Sequence, residues 1–345
     1  MVIAVNRLPN MRILILGGGA FVGRAITEAA TSRGHEVTTF TRSTLPPGAE
    51  SGRVEAMFGD RTEPGAFDFA IDRQWDAVFD TWSGAPRIVQ QSVKVLRPHA
   101  SYYGYVSSCS VYKEAPAVSG LNEDAQTAEA DPSADATNYS ADKRGAELAV
   151  LEGFGPEASL LARPGLILGP HELPGRLLWW LRRIEQGGEV LAPGPRDLAL
   201  QYIDARDLAA WMVACAEKGT VGAFNAISAS GHTNMEEVLE ACRFITNSDA
   251  EFTWVTPEFV IEQGIQPWSE MPIWVDPASH GIHSFDTSRA ASAGLTCRPM
   301  IETVADTWAW MHSGDHVQMP ARLSSPGLSI EKERAALAAW ASQDR

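Results

Sequence analysis

Met11-Arg-Ile-Leu-Ile-Leu-Gly-Gly-Gly-Ala-Phe-Val-Gly23 carries an apolar run of strand length straight into a glycine cluster. A helical stretch, Arg24 to Arg33, follows; Gly34 stops it, and His35-Glu-Val-Thr-Thr-Phe40 reads as a second strand. Strand, glycine turn, helix, strand is a nucleotide-binding βαβ unit. Glycines in such a turn let the backbone approach a pyrophosphate, whose charge is met by the free N–H groups and positive dipole end of the new helix. The turn residues Gly17, Gly18, Ala20, Phe21, Val22 and Gly23 are therefore expected at a cofactor. Aligned through Phe21, Val22 and Gly23, the close-approach glycine of the usual fingerprint falls on Ala20, whose methyl is expected to push the pyrophosphate outward.

The end of the second strand bears on which dinucleotide binds. An acidic side chain there would accept a ribose 2′-hydroxyl and repel a 2′-phosphate, whereas this chain has Thr41, Arg42 and Ser43. A guanidinium between hydroxyls suits a phosphate, which favours NADP(H) over NAD; the plainer alternative is that Arg42 only solvates a loop. Met57-Phe-Gly-Asp60 reads as a third strand ending in a carboxylate near an adenine, and Asp76-Ala-Val-Phe-Asp-Thr81 as a fourth ending beneath the cofactor. Trp82, next along, is a candidate substrate contact.

Downstream, Ser107 and Ser108 close another apolar run, and Asn138-Tyr-Ser-Ala-Asp-Lys143 places Tyr139 and Lys143 one helical turn apart. Positions i and i+4 share a helix face, so the ammonium is expected beside the phenol. A free tyrosine ionises near pH ~10, and an adjacent cation would bring it toward the range useful for proton transfer. Ser108 would hold the substrate oxygen.

Four ordered stretches, namely the glycine turn at 17–23, Val106-Ser-Ser-Cys-Ser-Val-Tyr112, Tyr139 to Lys143, and Arg163-Pro-Gly-Leu-Ile-Leu-Gly-Pro170, resemble the short-chain dehydrogenase/reductase superfamily. The likeness is to its extended and atypical members, the NAD-dependent epimerase/dehydratase-like proteins. It implies a catalytic triad of Ser108, Tyr139 and Lys143, with Lys143 also holding the nicotinamide ribose, Ser107 at the cofactor, and Pro164, Gly165 and Leu166 beside the nicotinamide. Two departures lean away from sugar nucleotides. The usual asparagine after the sixth strand is replaced by Pro164-Gly165, and the usual arginine before a later strand falls on Leu200, leaving Arg196 and Arg206 as the nearest cations. Dehydratases also tend to carry an acidic pair after the catalytic hydroxyl; Cys109 and Ser110 stand there instead.

With 345 residues, 45% of them hydrophobic and 21% charged, the chain can bury a large core. The expected fold is α/β, a doubly wound parallel Rossmann sheet (residues 11–170 plus about 201–230) with a smaller C-terminal substrate lobe (171–200 plus about 231–345). Residues 1–10 read as a disordered leader without a signal peptide's apolar core, and no apolar run is long enough to span a bilayer, so a cytoplasmic location and no membrane partner are expected. The net charge of −15 argues against a nucleic-acid surface. Cys109, Cys215, Cys242 and Cys297 show no paired spacing and read as reduced thiols; neither His280 with His283 nor His312 with His316 has a supporting carboxylate motif, so no metal is expected. Cys109 reads chiefly as a small buried hydrophobe, though with Ser110 it flanks the expected chemistry. His171 either touches substrate or caps a loop.

Strands and helices alternate from residue 11 to about 167, as in a parallel sheet. The acidic segment Glu114 to Thr137 is expected to be disordered or a lid, Leu177-Leu-Trp-Trp-Leu181 a helix over the site that brings Trp179 to substrate, Ala205 to Lys218 a helix, Ala223 to Ile227 a strand, and Ser329 to Trp340 an amphipathic helix. Tryptophans crowd the C-terminal half, either filling a small core or lining a flat apolar pocket. The leading expectation is an NADP(H)-dependent oxidoreductase acting on the carbonyl or secondary alcohol of a small metabolite, with a homodimer as a possible assembly. A sugar-nucleotide epimerase or dehydratase with tightly bound NAD(P) stands second, and a non-catalytic dinucleotide sensor third.

Overall fold

In the computed structural model, which describes residues 10–313 and 326–343, the run Arg12–Leu16 forms β1, buried on both faces as a central parallel strand must be. β2 (Glu36–Thr41), β3 (Val54–Phe58), β4 (Ala77–Asp80), β5 (Tyr103–Val106) and β6 (Ser159–Ala162) follow. With the strand Gly222–Phe224 they make a seven-stranded sheet in the order Gly222–Phe224, β6, β5, β4, β1, β2, β3, every pairing parallel. The order reverses between β1 and β4, and a crevice opens there beyond the carboxyl ends of the strands.

The sheet and the cleft are flanked by the helices α1 (Phe21–Ser32), α2 (Pro86–Leu96), α3 (Tyr139–Phe154), α4 (Arg176–Glu185) and α5 (Ala205–Lys218). Ala25 and Ile26 of α1 pack with Leu208 and Met212 of α5 on one face of the sheet, and Val89 and Val93 of α2 with Ala146 and Val150 of α3 on the other. The doubly wound expectation is met.

Boundaries moved for local reasons. α1 begins three residues before Arg24, because Ala20 already has the extended backbone of a helix cap. β3 ends at Phe58 rather than Asp60, whose carboxylate turns back to accept from the Thr62 N–H at 2.9 Å. The strand expected over Ala223–Ile227 covers only Gly222–Phe224. Segment 114–137, expected to be disordered or a lid, is ordered and its Ala115 and Pro116 line the cleft described below: Lys113 N–H reaches the Gln126 carbonyl at 2.9 Å, and Glu123, itself buried, accepts from Asn225 N–H at 2.7 Å. Buried backbone groups that find partners hold a long loop in place.

The remaining elements close a second core. The parallel pair Glu189–Pro193 and Glu251–Val255 joins α4 and the helices Met235–Thr246, Met300–Met311 and Ile330–Gln343 around Trp180, Trp274, Val238, Val304 and Leu337. The last helix, expected over 329–340, docks through Glu333, which takes Arg183 at 2.6 Å. No helix among the described residues is long and apolar enough to cross a membrane. Nearly all of the leader, and His316 of the second histidine pair, lie outside the described residues.

Candidate active site

The turns after β1, β4 and β5 line a cleft of about 2230 Å³ that reaches from the glycine turn to the lobe. Single drug-sized ligands occupy roughly 300–1,000 Å³, so a dinucleotide and a second molecule fit together. Gly17 has φ +97 and sends its N–H to the Phe40 carbonyl at 2.8 Å; a side chain there would strike the Thr81 hydroxyl. A methyl on Gly23 would collide with the Gly17 carbonyl, so the turn is shut tight under the start of α1. Ala20, Phe21 and Val22 lie on the cleft wall, with the Ala20 methyl exposed toward it. Gly18 does not: it packs against Thr27 and Thr39, and so serves the joint between helix and sheet.

Thr41, Arg42 and Asp60 form one rim of the same cleft and Thr81 its floor, where the Thr81 hydroxyl donates to the Leu16 carbonyl at 3.0 Å. Asp60 is held below the usual carboxylate range, first by the Thr62 N–H and hydroxyl and, more weakly, by the charge of Arg42. Pro164, Gly165 and Leu166 line the opposite side. Ser107 is on the wall, but its hydroxyl is spent on Glu147 at 2.6 Å, inside a buried cluster where Arg163 grips the same carboxylate at 2.8 Å.

Ser108, Tyr139 and Lys143 converge on this wall from two elements. Ser108 ends the β5 turn and accepts from the Ser110 N–H at 3.1 Å. Asn138 caps α3 by accepting from the Ala141 N–H at 3.0 Å, which makes Tyr139 the first helical residue and leaves it 53% exposed to the cleft. Lys143, one turn on, is 3% exposed and donates to the carbonyls of Val106 at 2.7 Å and Trp82 at 2.8 Å. Burial pushes its ammonium down to about 7, with Asp80 and Glu147 pulling the other way. An ammonium has three donors; two are committed and one is left.

The expected pairing of Lys143 with the Tyr139 phenol is corrected here. The amine lies 6.0 Å from the centre of the Tyr139 ring and closer, at 4.9 Å, to that of Tyr105. Two of its donors go to the carbonyls of Trp82 and Val106, and no hydrogen bond joins it to the phenol among the described residues. The phenol is accordingly raised above its ordinary value, not lowered. Crowding by the cleft walls is the main cause, and the Ser108 hydroxyl and the charge of Arg176 oppose it.

Beyond Tyr139 lies the end of the cleft that faces the lobe. Trp82 and Ser110 reach it, the Trp82 ring fixed by its N–H to the Ala85 carbonyl at 3.1 Å. His171 lines it with its ring 4.7 Å from that of Trp310 and φ +65. Cys109 borders the cleft, but its thiol turns inward to the Arg163 carbonyl at 3.0 Å and burial raises it well above the ordinary thiol range. Trp179 is a miss: it packs edge-on against Trp180 and beside Gly327, away from the cleft, because α4 buries Leu177, Trp180, Leu181 and Ile184 and turns position 179 to the flank of the lobe core. Leu200 is buried in that core. Arg196 pairs with Glu236 at 3.4 Å and Arg206 with Asp204 at 2.7 Å, so neither serves the cleft.

Toward the lobe, the cleft is lined by two further cations, Arg176 and Arg182 of α4, with Glu172 and Trp268 in the same lining. Sequence reasoning missed them. The signal was present in the phase of α4, whose apolar positions 177, 178, 181 and 184 leave 176 and 182 on the edges of the stripe. Elsewhere, His280 and His283 spend ring nitrogens on the Ala199 carbonyl and the Gln201 N–H, and no group of three or more metal-ligating side chains occurs among the described residues.

The model of the NAD dependent epimerase/dehydratase family matches residues 13–102 and 93–226. A 2-alkyl-3-oxoalkanoate reductase of Stenotrophomonas maltophilia is 32% identical over 218 residues, 58% of this chain. The chloroplast stem-loop binding protein of 41 kDa b of Arabidopsis thaliana is 26% identical over 253 residues, 69% of this chain. The chain spans 64% of the length of each of these relatives. The structure of the Bordetella bronchiseptica enzyme WbmH in complex with NAD+ shares the fold with a TM-score of 0.67 at 16% identity, over 89% of this chain and 100% of that one. With the family's pattern matched across more than half its length, on a seven-stranded parallel sheet of that fold, the chain belongs to the NAD-dependent epimerase/dehydratase family.

Proposed function

We propose that the protein is an NADP(H)-dependent oxidoreductase that reduces a carbonyl, or oxidises the corresponding secondary alcohol, of a small metabolite. The observation that carries this reading is the meeting of Ser108, Tyr139 and Lys143 on one wall of a cleft that also contains the glycine turn. The residues present fit a dinucleotide: a turn in which side chains at positions 17 and 23 would collide, a helix N-terminus behind it, and Arg42 with Ser43 at the end of β2 where a 2′-phosphate would lie. When bound, the nicotinamide supplies or accepts the hydride.

The side chains divide the rest of the work. Tyr139, raised above its ordinary value and so protonated at neutral pH, gives its proton to the carbonyl oxygen on reduction and takes it back on oxidation. Ser108 orients that oxygen. Lys143, fixed by two carbonyls, turns its remaining N–H toward the cleft, where it would hold a ribose hydroxyl and steady the charge of Tyr139 after proton loss. Exchanging Tyr139 for Phe is expected to reduce turnover at least about 100-fold while NADPH still quenches the tryptophan fluorescence with unchanged affinity. Turnover surviving in that variant would remove the mechanism.

The cofactor choice has its own test. Arg42→Ala is expected to weaken NADPH binding about tenfold, the worth of a charged hydrogen bond, and leave NADH binding unchanged; equal effects on both would return the cofactor to NAD. A sugar-nucleotide epimerase is the second reading, favoured by the two arginines at the far end of the cleft, Arg176 and Arg182. It requires tightly held NAD in the purified protein and turnover without net NADPH consumption. A nucleic-acid role, which the name of the Arabidopsis relative raises, fits poorly with a net charge of −15.

A further inference from the structure

We infer that Arg176 is the anchor for a carboxylate on the substrate, so that the molecule turned over is an oxo acid whose reacting carbonyl lies at Tyr139 and whose acid group meets the Arg176 guanidinium. This rests on the oxidoreductase reading and narrows its substrate class. Arg176 opens α4 on the cleft wall, close enough to Tyr139 for its charge to act on the phenol. Its side chain is only 22% exposed, yet its guanidinium makes no hydrogen bond among the described residues. It stacks 4.7 Å from the centre of the Trp268 ring and lies 3.8 Å from Glu172.

Glu172 meets it as an ion pair at 3.8 Å without a hydrogen bond, its carboxylate oxygens accepting instead from the backbone N–H groups of Arg176 at 2.9 Å and Leu177 at 3.1 Å. Burial also pushes that carboxyl up to about 7, so it offsets the guanidinium only in part at neutral pH. A mostly buried guanidinium held over an indole, with no hydrogen bond to its donors among the described residues, is preorganised for a planar bidentate acceptor. Two bulky residues of the same cleft lining, His171 at φ +65 and Trp268 at φ +64, sit in the left-handed backbone region. Such strain in side chains of this size collects at ligand clamps.

One cation beside a buried acid matches a single negative charge better than the two of a diphosphate. Arg182, the next cation on α4, is exposed at the cleft margin, and Leu173, Val275 and Ile282 give the same end an apolar lining suited to an alkyl chain.

The test is equilibrium binding, which needs no turnover. 3-Oxohexanoate, its methyl ester and UDP are titrated by calorimetry into the protein saturated with NADP+ and, separately, with NAD+, a dead-end pairing of two oxidised partners. Wild-type protein is expected to bind the acid, Arg176→Gln about 100-fold more weakly and Arg176→Lys in between, while the ester binds weakly and alike to all three. Acid and ester binding equally, acid binding untouched by Arg176→Gln, or Arg176-dependent binding of UDP but not of the acid would each overturn the assignment. A parallel assay of NADPH oxidation keeps the two readings apart. Arg176-dependent acid binding with no carbonyl reduced by wild type leaves the anchor standing and sinks the oxidoreductase reading; reduction of acid and ester with equal kcat/KM, unaltered by Arg176→Gln, does the reverse.

Discussion

At the scale of single residues, Glu172 shows how burial and hydrogen bonding oppose each other. Removal from water raises its carboxyl to about 7, and the charge of Arg176 with two N–H groups pulls back only part of the way. The folded state therefore holds a proton on Glu172 that the unfolded chain, titrating near its ordinary 4.5, has already lost. Where the native state binds more protons, stability falls as pH rises, so this residue costs stability progressively between about 4.5 and 7. Glu172→Gln, which keeps an oxygen for the α4 cap, is expected to gain stability relative to wild type as pH moves from 5 to 8. Urea denaturation of both proteins at the two pH values measures the gap, and a gap that does not change with pH would show that Glu172 titrates normally. The residues named from sequence fared unevenly for a related reason. Ser108, Tyr139 and Lys143 were legible because strand ends and helix turns fix where side chains point. The state of Tyr139 was not, because it is set chiefly by burial among cleft walls from distant parts of the chain, while Lys143 spends two donors on the backbone carbonyls of Trp82 and Val106.

At the scale of elements, the turn between β1 and α1 is where the sequence speaks most directly. A methyl at Gly23 meets the Gly17 carbonyl, a backbone group that cannot swing aside, whereas the Ala20 methyl meets open cleft. Gly23→Ala is thus expected to cost about 1–3 kcal/mol by overpacking and to abolish cofactor binding, while Ala20→Gly is expected to cost well under about 1 kcal/mol and leave or improve NADPH affinity. Thermal denaturation with and without NADPH checks both; a Gly23→Ala protein that still binds would mean the turn can open. The same closeness explains why the sheet was readable in advance. Strands buried on both faces are apolar runs with glycine or acidic breaks, and those breaks survive any tertiary context. Less was visible in α4 and segment 114–137. The phase of α4 sets 176 and 182 beside its apolar stripe, but what that stripe meets is decided by the lobe core that buries 177, 180, 181 and 184, and segment 114–137 gains its order from Asn225, more than eighty residues beyond its end.

At the scale of the whole molecule, the cleft has two builders, the sheet and the lobe, and its substrate end keeps its shape only while they stay registered. Asp204 sits at their junction. Its carboxylate is fully buried, caps α5, holds Arg206 at 2.7 Å, and accepts from Thr303 of the lobe helix at 2.9 Å, while Arg298 binds Asp207 one turn further at 2.7 Å. Burial opposes ionisation of Asp204, but the hydrogen bonds and charge of Arg206 and the charge of Arg298 outweigh it and hold the group below its ordinary 3.8. A carboxylate depressed in this way lends stability that is present above about pH 4 and is lost as pH falls through the folded value. Asp204→Asn keeps a cap for α5 but leaves two arginines short of charge. It is expected to cost about 2–3 kcal/mol at pH 7, somewhat less than a fully buried pair because the arginines keep some water, and the difference is expected to shrink as pH falls below about 4. The junction borders the lobe rather than the glycine turn, so on the proposed oxidoreductase reading the loosened protein should show a raised KM for the carbonyl substrate with NADPH affinity unchanged. Denaturation at pH 7 and 3, together with cofactor titration and substrate kinetics at pH 7, separates the effects; NADPH affinity falling in step with stability would mean that sheet and lobe form one cooperative unit and not two surfaces held in register by Asp204.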